Sequence, residues 1–315
     1  MNKSQLGIAM YTKNNIVQDS GFIYSAWSGL QTIKQEYGIR AMIADIQNAK
    51  EAGEQLDAIT GDGYKLVWIL GSTSAETIIK EAEKYPDITF ACIDIPKDIQ
   101  LPKNVLGIEF REQEGAFLAG YLAAKVILET GSAQKHIGFV GGEKIPHIRK
   151  FEYGYKAGAW FADTEIKVDT AYTDSFVSEK AGKRAANTVI DNGCNILFHA
   201  AGASGRGVIQ AANDRGQKVL GADIDQGFIA PETVVSSVLK NVGKIIYQIS
   251  AHFIQDDIIE MGTRSFGISD GGINISPITN VNHRKDLQED VERISGAIVN
   301  GTIHPPATAK ELRKF

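Results

Sequence analysis

The 315 residues of the chain give room for two lobes of ordinary domain size, and 43% hydrophobic with 23% charged residues is the balance of a soluble globular protein. A net charge of −5 supplies no basic face for nucleic acid or a membrane surface. No apolar run reaches the ~18 residues that a membrane span needs. Cys92 and Cys194 lie far apart inside apolar segments and read as small core residues, not a disulfide or a metal pair. The opening Met1-Asn2-Lys3-Ser4 shows no signal peptide and enters a strand at once. That fits a cytoplasmic protein and equally a mature form whose signal has been cut away.

Short apolar runs alternate with longer amphipathic ones. The first five predicted strands are Leu6–Tyr11, Ile39–Ala44, Leu66–Leu70, Ile88–Ile93 and Val105–Phe110, with helical patterns at 22–37, 48–61 and 74–84 between them. Gly71 and Pro86 punctuate the series where a strand and a helix should end. A helix at 112–129 carries Phe117, Leu118, Tyr121, Leu122 and Val126 on one face. The pattern then restarts with strands His136–Val140, Lys167–Tyr172, Ile196–Ala200 and Val219–Ala222, interleaved with helices at 148–162, 178–192 and 204–215.

From Ser236 the chain adds a strand, a helix at 242–257, a turn-rich piece ending Asp270-Gly271-Gly272 and a last helix at 284–300. Two successive βα series argue for two Rossmann-like α/β lobes with parallel, right-handed connections. The expected division is 1–130 plus about 241–265 for the first lobe and 131–240 plus about 266–315 for the second. A tail crossing between lobes more than once makes the join a multi-crossing hinge around a closing cleft.

Enzyme motifs are mostly absent. There is no Walker-type phosphate loop, and the glycine spacing of Gly202-Ala203-Ser204-Gly205-Arg206-Gly207 is wrong for a dinucleotide loop. That segment reads as a tight turn offering backbone N–H groups at a helix start. The six histidines show no ligand spacing, so no zinc site is expected. Ser204 is out of register for a nucleophile elbow. No cofactor is called for.

The strand ends are richer. Gly221-Ala222-Asp223-Ile224-Asp225-Gln226 is an apolar strand closing in two carboxylates and a carboxamide, and Ser236-Ser237-Val238-Leu239-Lys240 is a strand closing in a lysine. Carboxyl ends of strands in open α/β sheets are where ligands sit. Acceptor-only carboxylates with one ammonium suit a neutral polyol better than an anion. The competing reading makes Asp223 and Asp225 caps of a following helix and Lys240 a solvated strand end. Phe22, opening the first helix, and Phe176, in the loop after Lys167–Tyr172, are expected one in each lobe. As a pair they would stack on a flat ring, worth about 1–3 kcal/mol per face. Singly, each reads as a structural residue.

At this point the sequence resembles the basic membrane protein family of substrate-binding lipoproteins, which resemble the purine nucleoside receptor of spirochaetes. The matching stretches are Asp19-Ser20-Gly21-Phe22 with Ser25-Ala26-Trp27-Ser28-Gly29-Leu30, then Glu114-Gly115-Ala116-Phe117-Leu118-Ala119-Gly120-Tyr121-Leu122-Ala123. They continue with Ile137-Gly138-Phe139-Val140-Gly141-Gly142 and Pro146, Phe151-Glu152-Tyr153-Gly154-Tyr155 and Gly158, and Ala200-Ala201-Gly202-Ala203-Ser204-Gly205. The two strand-end segments complete the set. The resemblance implies a periplasmic-binding-protein type I fold serving the membrane subunits of an ABC importer, as a monomer that closes on a small molecule and performs no chemistry.

Carried over by position, it implies that Phe22 and Phe176 flank a purine base. Asp223 or Asp225, together with Lys240, would hold the ribose, Gly202 would lend its backbone, and Asp94 is a further sugar contact. It also implies an extracytoplasmic location and a lipid anchor in the full-length precursor. Two positions depart from the family. Its usual base-reading aspartate is matched by Lys13, and the asparagine after the motif phenylalanine is matched by Ile23. A lysine only donates where an aspartate accepts, so Asn14 or Asn15 is the alternative reader of the base edge. A regulatory ligand sensor of the same family, and a nucleoside-processing enzyme using Asp223 and Asp225 with a metal, stand as alternatives; no basic helix-turn-helix precedes the first strand.

Overall fold

Apolar and β-branched residues between turn signals form the first strands, and helices with one apolar face connect them. In the computed structural model, which describes residues 6–13, 21–46, 48–95, 99–131, 134–256 and 259–315, the first series is β1 (Gly7–Thr12), α1 (Phe22–Tyr37), β2 (Arg40–Asp45), α2 (Ala49–Thr60), β3 (Tyr64–Leu70), α3 (Ser72–Glu81), β4 (Thr89–Ile93) and β5 (Val105–Phe110). The second is α4 (Glu112–Glu129), β6 (His136–Gly141), α5 (Pro146–Ala162), β7 (Lys167–Tyr172), α6 (Glu179–Asp191), β8 (Ile196–Ala200), α7 (Gly205–Asp214), β9 (Lys218–Asp223) and β10 (Val234–Lys240). The remainder is α8 (Val242–Asp256), β11 (Gly262–Phe266), β12 (Ile273–Ile275), α9 (Arg284–Val299) and α10 (Ala309–Leu312). Caps mark helix starts as the residue types require: the Asn48 side chain accepts from Glu51 N–H at 3.0 Å and that of Ser178 from Ala181 N–H at 3.2 Å.

The elements form two units, each on its own six-stranded sheet. The first contains the described residues up to Lys13, Ile23–Phe110 and Val242–Phe266; the second contains Gly21–Phe22, Arg111–Asn241 and Gly267–Phe315. The strand orders are β11-β5-β4-β3-β1-β2 and β12-β10-β9-β8-β6-β7, so the same winding occurs twice. All pairings are parallel except β10 with β12. This is the two-lobed α/β architecture expected from the alternation.

Two differences from the sequence reading have clear causes. The helix at 112–129, assigned to the first lobe, belongs to the second unit. It is buried nearly all round and crosses α5 at glycine contacts so close that a Cβ on Gly158 would lie 1.9 Å from the Phe117 carbonyl oxygen, and one on Gly120 2.0 Å from that of Tyr155. The stretch read as turns between α8 and α9 contains two edge strands. One is Gly-Thr-Arg-Ser-Phe, largely exposed, and the other has three residues, too polar and too short to announce themselves.

Within the first unit, Tyr11, Leu56, Val67, Ile69, Phe90 and Cys92 share one core against α2 and α3. In the second, alternation along the strands feeds both faces of the sheet. Phe139 and Phe198 stack with Tyr155 of α5 at ring separations of 6.2 and 5.3 Å, while their neighbours Val140 and Leu197 pack with Val189 and Val208 of α6 and α7. Both cysteines are buried free thiols.

Candidate ligand-binding site

The carboxyl ends of β6 to β10 gather the unusual features of the second unit. Beyond β7, Phe176 lies over two glycines at the ends of β6 and β8. A Cβ on Gly142 would stand 2.4 Å from Phe176 Cε1, and Gly202, at φ +55°, has the Phe176 carbonyl oxygen 3.1 Å from where its own would be. Two absent side chains make room for the ring, and the left-handed backbone at Gly202 favours the residue type found there. Ser204 fixes the loop. Its N–H donates to Phe176 O at 3.1 Å, its hydroxyl donates to Ser175 O at 2.9 Å, and the same oxygen accepts from Ser178 N–H at 2.9 Å.

Asp223 ends β9 at φ +70°, and Ile224 N–H donates back to Ala222 O at 2.9 Å, so the aspartate is the centre of a tight γ-turn. Its half-buried carboxyl emerges at the strand end. No helix follows to be capped; the described segment from Ile224 to Thr233 is turns. Asp225 is exposed and accepts from Gly227 N–H at 3.0 Å, a local turn contact. Beneath the turn, Gln226 Oε1 accepts from Ala222 N–H at 3.1 Å and faces His199 Nε2 at 2.8 Å, while its own N–H donates to Ser237 Oγ at 3.0 Å. Since the carbonyl oxygen only accepts, His199 carries its proton on Nε2. Burial holds the imidazole pKa down at about 4 despite that bond.

Lys240, at the end of β10, is not a solvated strand end: it is 2% exposed. Its Nζ is 3.0 Å from Glu112 Oε1, and Lys150 Nζ is 3.6 Å from the other oxygen. Glu112 is wholly buried in the first turn of α4, and neither oxygen has a well-aligned hydrogen bond, so ionic contact from the two ammonium groups is what offsets its desolvation. The Lys240 ammonium also stands 5.1 Å from the centre of the Phe22 ring, within cation–π reach. By its contacts Phe22 groups with the second unit, where Phe176 also lies, although it opens α1, whose other residues belong to the first. Glu112 and Lys150 were not singled out in the sequence. A glutamate in a first helical turn reads as a helix-dipole residue, and nothing nearby in the chain signals its lysines.

In the first unit, Asp94 follows β4 at φ +60° and is 7% exposed. β4 and β9 hold the same third place in their sheets, so both units put a left-handed aspartate at the same strand end. Lys13 follows β1 and is exposed. Asn14 and Asn15 lie outside the described residues.

Among the described residues no helix is long and apolar enough to cross a membrane. The chain is 31% identical to basic membrane protein A1 of Borrelia garinii subsp. bavariensis, over 94% of this chain and 87% of the relative. It is 33% identical to basic membrane protein B of Borreliella afzelii, over 91% and 86%. Among solved structures it is similar to an ABC transporter solute-binding protein of Aeropyrum pernix K1, with TM-score 0.83, 22% identity and coverage of 98% and 96%. It is also similar to a transcriptional activator of the comK gene from Bacillus halodurans, with TM-score 0.78, 16% identity and coverage of 95% and 99%. At those identities the structural likenesses speak for the fold, that of type I periplasmic binding proteins. The Bmp family model, described as ABC transporter substrate-binding protein PnrA-like, matches residues 8–309, and with it the chain belongs to that family of substrate-binding proteins.

Proposed function

We propose that this protein is the extracytoplasmic solute receptor of an ABC importer and that its solute is a purine nucleoside or a similarly flat, hydroxylated molecule. The observation that carries the reading is Lys240, a buried ammonium held by Glu112 at the carboxyl edge of the second sheet and facing the Phe22 ring. An ammonium and the Asp223 carboxylate bind sugar hydroxyls through charge-assisted bonds worth about 1.5–3 kcal/mol each. Phe22 and Phe176 supply faces for a base. Asp94 is a further hydroxyl partner, Gly202 lends backbone, and Lys13 or Asn14 reads the base edge. Asp225, engaged with Gly227, is the weaker of the two aspartate candidates.

The receptor acts as a monomer that delivers its ligand to the importer's membrane subunits, and in the full-length precursor it is lipid-anchored. It does no chemistry on the solute.

Calorimetric titration of refolded, ligand-free protein with guanosine, inosine and adenosine tests the reading. Micromolar or tighter binding that Phe176→Ala and Lys240→Met each weaken at least about tenfold supports it. Absence of heat with every nucleoside removes the purine ligand, and free base released on incubation with a divalent metal removes the binding-only role. The regulatory alternative draws on likeness to the comK activator, which is a likeness of fold. Recovery of the native protein outside the membrane fraction would favour it over a lipoprotein.

A further inference from the structure

The amino-terminal edge of the second sheet, at the opposite end of the strands from Phe176 and Asp223, holds a separate group of ligating side chains. His136 opens β6, Asp169 lies in the adjoining β7, and Cys194 stands just before β8 on the other side of β6. One donor atom from each, a ring nitrogen, a carboxylate oxygen and a sulfur, lies within 4.8 Å of the others. His136 is 6% exposed, Cys194 is fully buried and Asp169 is half-buried.

His136 Nε2 and Asp169 Oδ2 approach to 3.0 Å but are misaligned for a hydrogen bond, and each is buried without a hydrogen-bond partner. Orphaned buried polar atoms cost free energy and call for an explanation. A ring nitrogen and a carboxylate oxygen that converge in ion-pair contact but without hydrogen-bond alignment are placed as two ligands of one cation would be. Lys167 reaches only the other carboxylate oxygen, Oδ1, at 4.0 Å.

We propose that His136 Nε2, Asp169 Oδ2 and Cys194 Sγ form a binding site for one zinc-class divalent cation, with solvent as the fourth ligand. The donor set selects the metal. Thiolate with imidazole excludes magnesium and calcium, while three N, S and O ligands fit tetrahedral zinc. The carboxylate and the thiolate neutralise the dication, and the thiol proton leaves to solvent as the metal binds. The partial exposure of Asp169 provides the entry path. Such a site ties β7, the edge strand, and the turn before β8 to β6, so the metal acts as a staple for the sheet and not as part of solute binding.

The test uses tag-free protein stripped with a chelator and titrated with cobalt(II). The expected result is near-ultraviolet thiolate-to-cobalt charge-transfer absorption with visible tetrahedral bands, both displaced by zinc. Cys194→Ser should abolish the charge-transfer band, and His136→Gln should weaken zinc at least about tenfold, since even outer-shell changes cost that much. Zinc should raise the unfolding midpoint of the unmodified protein. Cobalt spectra without a thiolate band, or equal zinc affinity in Cys194→Ser and the parent, would overturn the site. If a variant fails to fold, the cobalt spectrum of the unmodified protein decides alone.

Discussion

The Lys240 ammonium stands 3.0 Å from the Glu112 carboxylate, and neither side chain is more than 3% exposed. Breaking a buried pair by removing one partner strands the other charge, at a cost of about 3–5 kcal/mol. Glu112→Gln, which removes the buried carboxylate that Lys240 and Lys150 both contact, should lower unfolding stability by about that amount in urea. Lys240→Met should cost less, because Glu112 keeps Lys150 at 3.6 Å. Equal losses from the two variants would show that Lys150 does not share the charge.

Ser204 bonds to three backbone groups of the Phe176 loop, two of them through its hydroxyl. Ser204→Ala leaves Ser175 O and Ser178 N–H without that partner, and should cost about 1–3 kcal/mol. Hydrogen exchange should rise locally in residues 175–178. If protection there is unchanged, the hydroxyl does not hold the loop.

Most of the layout just described was legible in the chain. Val105–Phe110, Lys167–Tyr172 and Ile196–Ala200 coincide with β5, β7 and β8, because apolar runs between turn residues have little other option. What escaped was set by distant partners. Glu112 has nothing local to mark it, Phe22 takes its place from an ammonium far along the chain, and His136, Asp169 and Cys194 meet only because β7, β6 and β8 are neighbours. Strand order, unlike strand identity, is invisible to periodicity.

Buried His199 gives the stability curve a definite sign. Its folded pKa, about 4, lies below the ordinary 6.5, so between those values the unfolded chain binds more protons. Its contribution is full above pH 6.5 and is lost as pH falls to about 4, a loss on the order of 3 kcal/mol. His199→Gln, which keeps a donor for Gln226, should flatten the dependence of the urea midpoint on pH in that window. An unchanged slope would assign the acid sensitivity to other groups.

One substitution at two glycines should have opposite signs. In Gly158→Ala the new methyl would sit 1.9 Å from the Phe117 carbonyl oxygen of α4, forcing the helices apart at about 1–3 kcal/mol or more. Gly53→Ala, on α2 with nothing within 4 Å of the new carbon, should stabilise by about 0.5–1 kcal/mol through helix propensity. Chemical denaturation of the two variants beside the parent checks both.

Three passages of the chain between units, at 110/111, 241/242 and 266/267, bear on how the protein is made. A nascent chain that has reached Asn241 has written most of both sheets and finished neither: β5 still lacks β11 and β10 still lacks β12. Each sheet then presents as its edge a strand that the finished fold buries, β5 in one and β10 in the other, the template on which chains aggregate. The last quarter of the polypeptide is thus what covers β5 and β10, and a product that stops short of it is a client for chaperones and proteases.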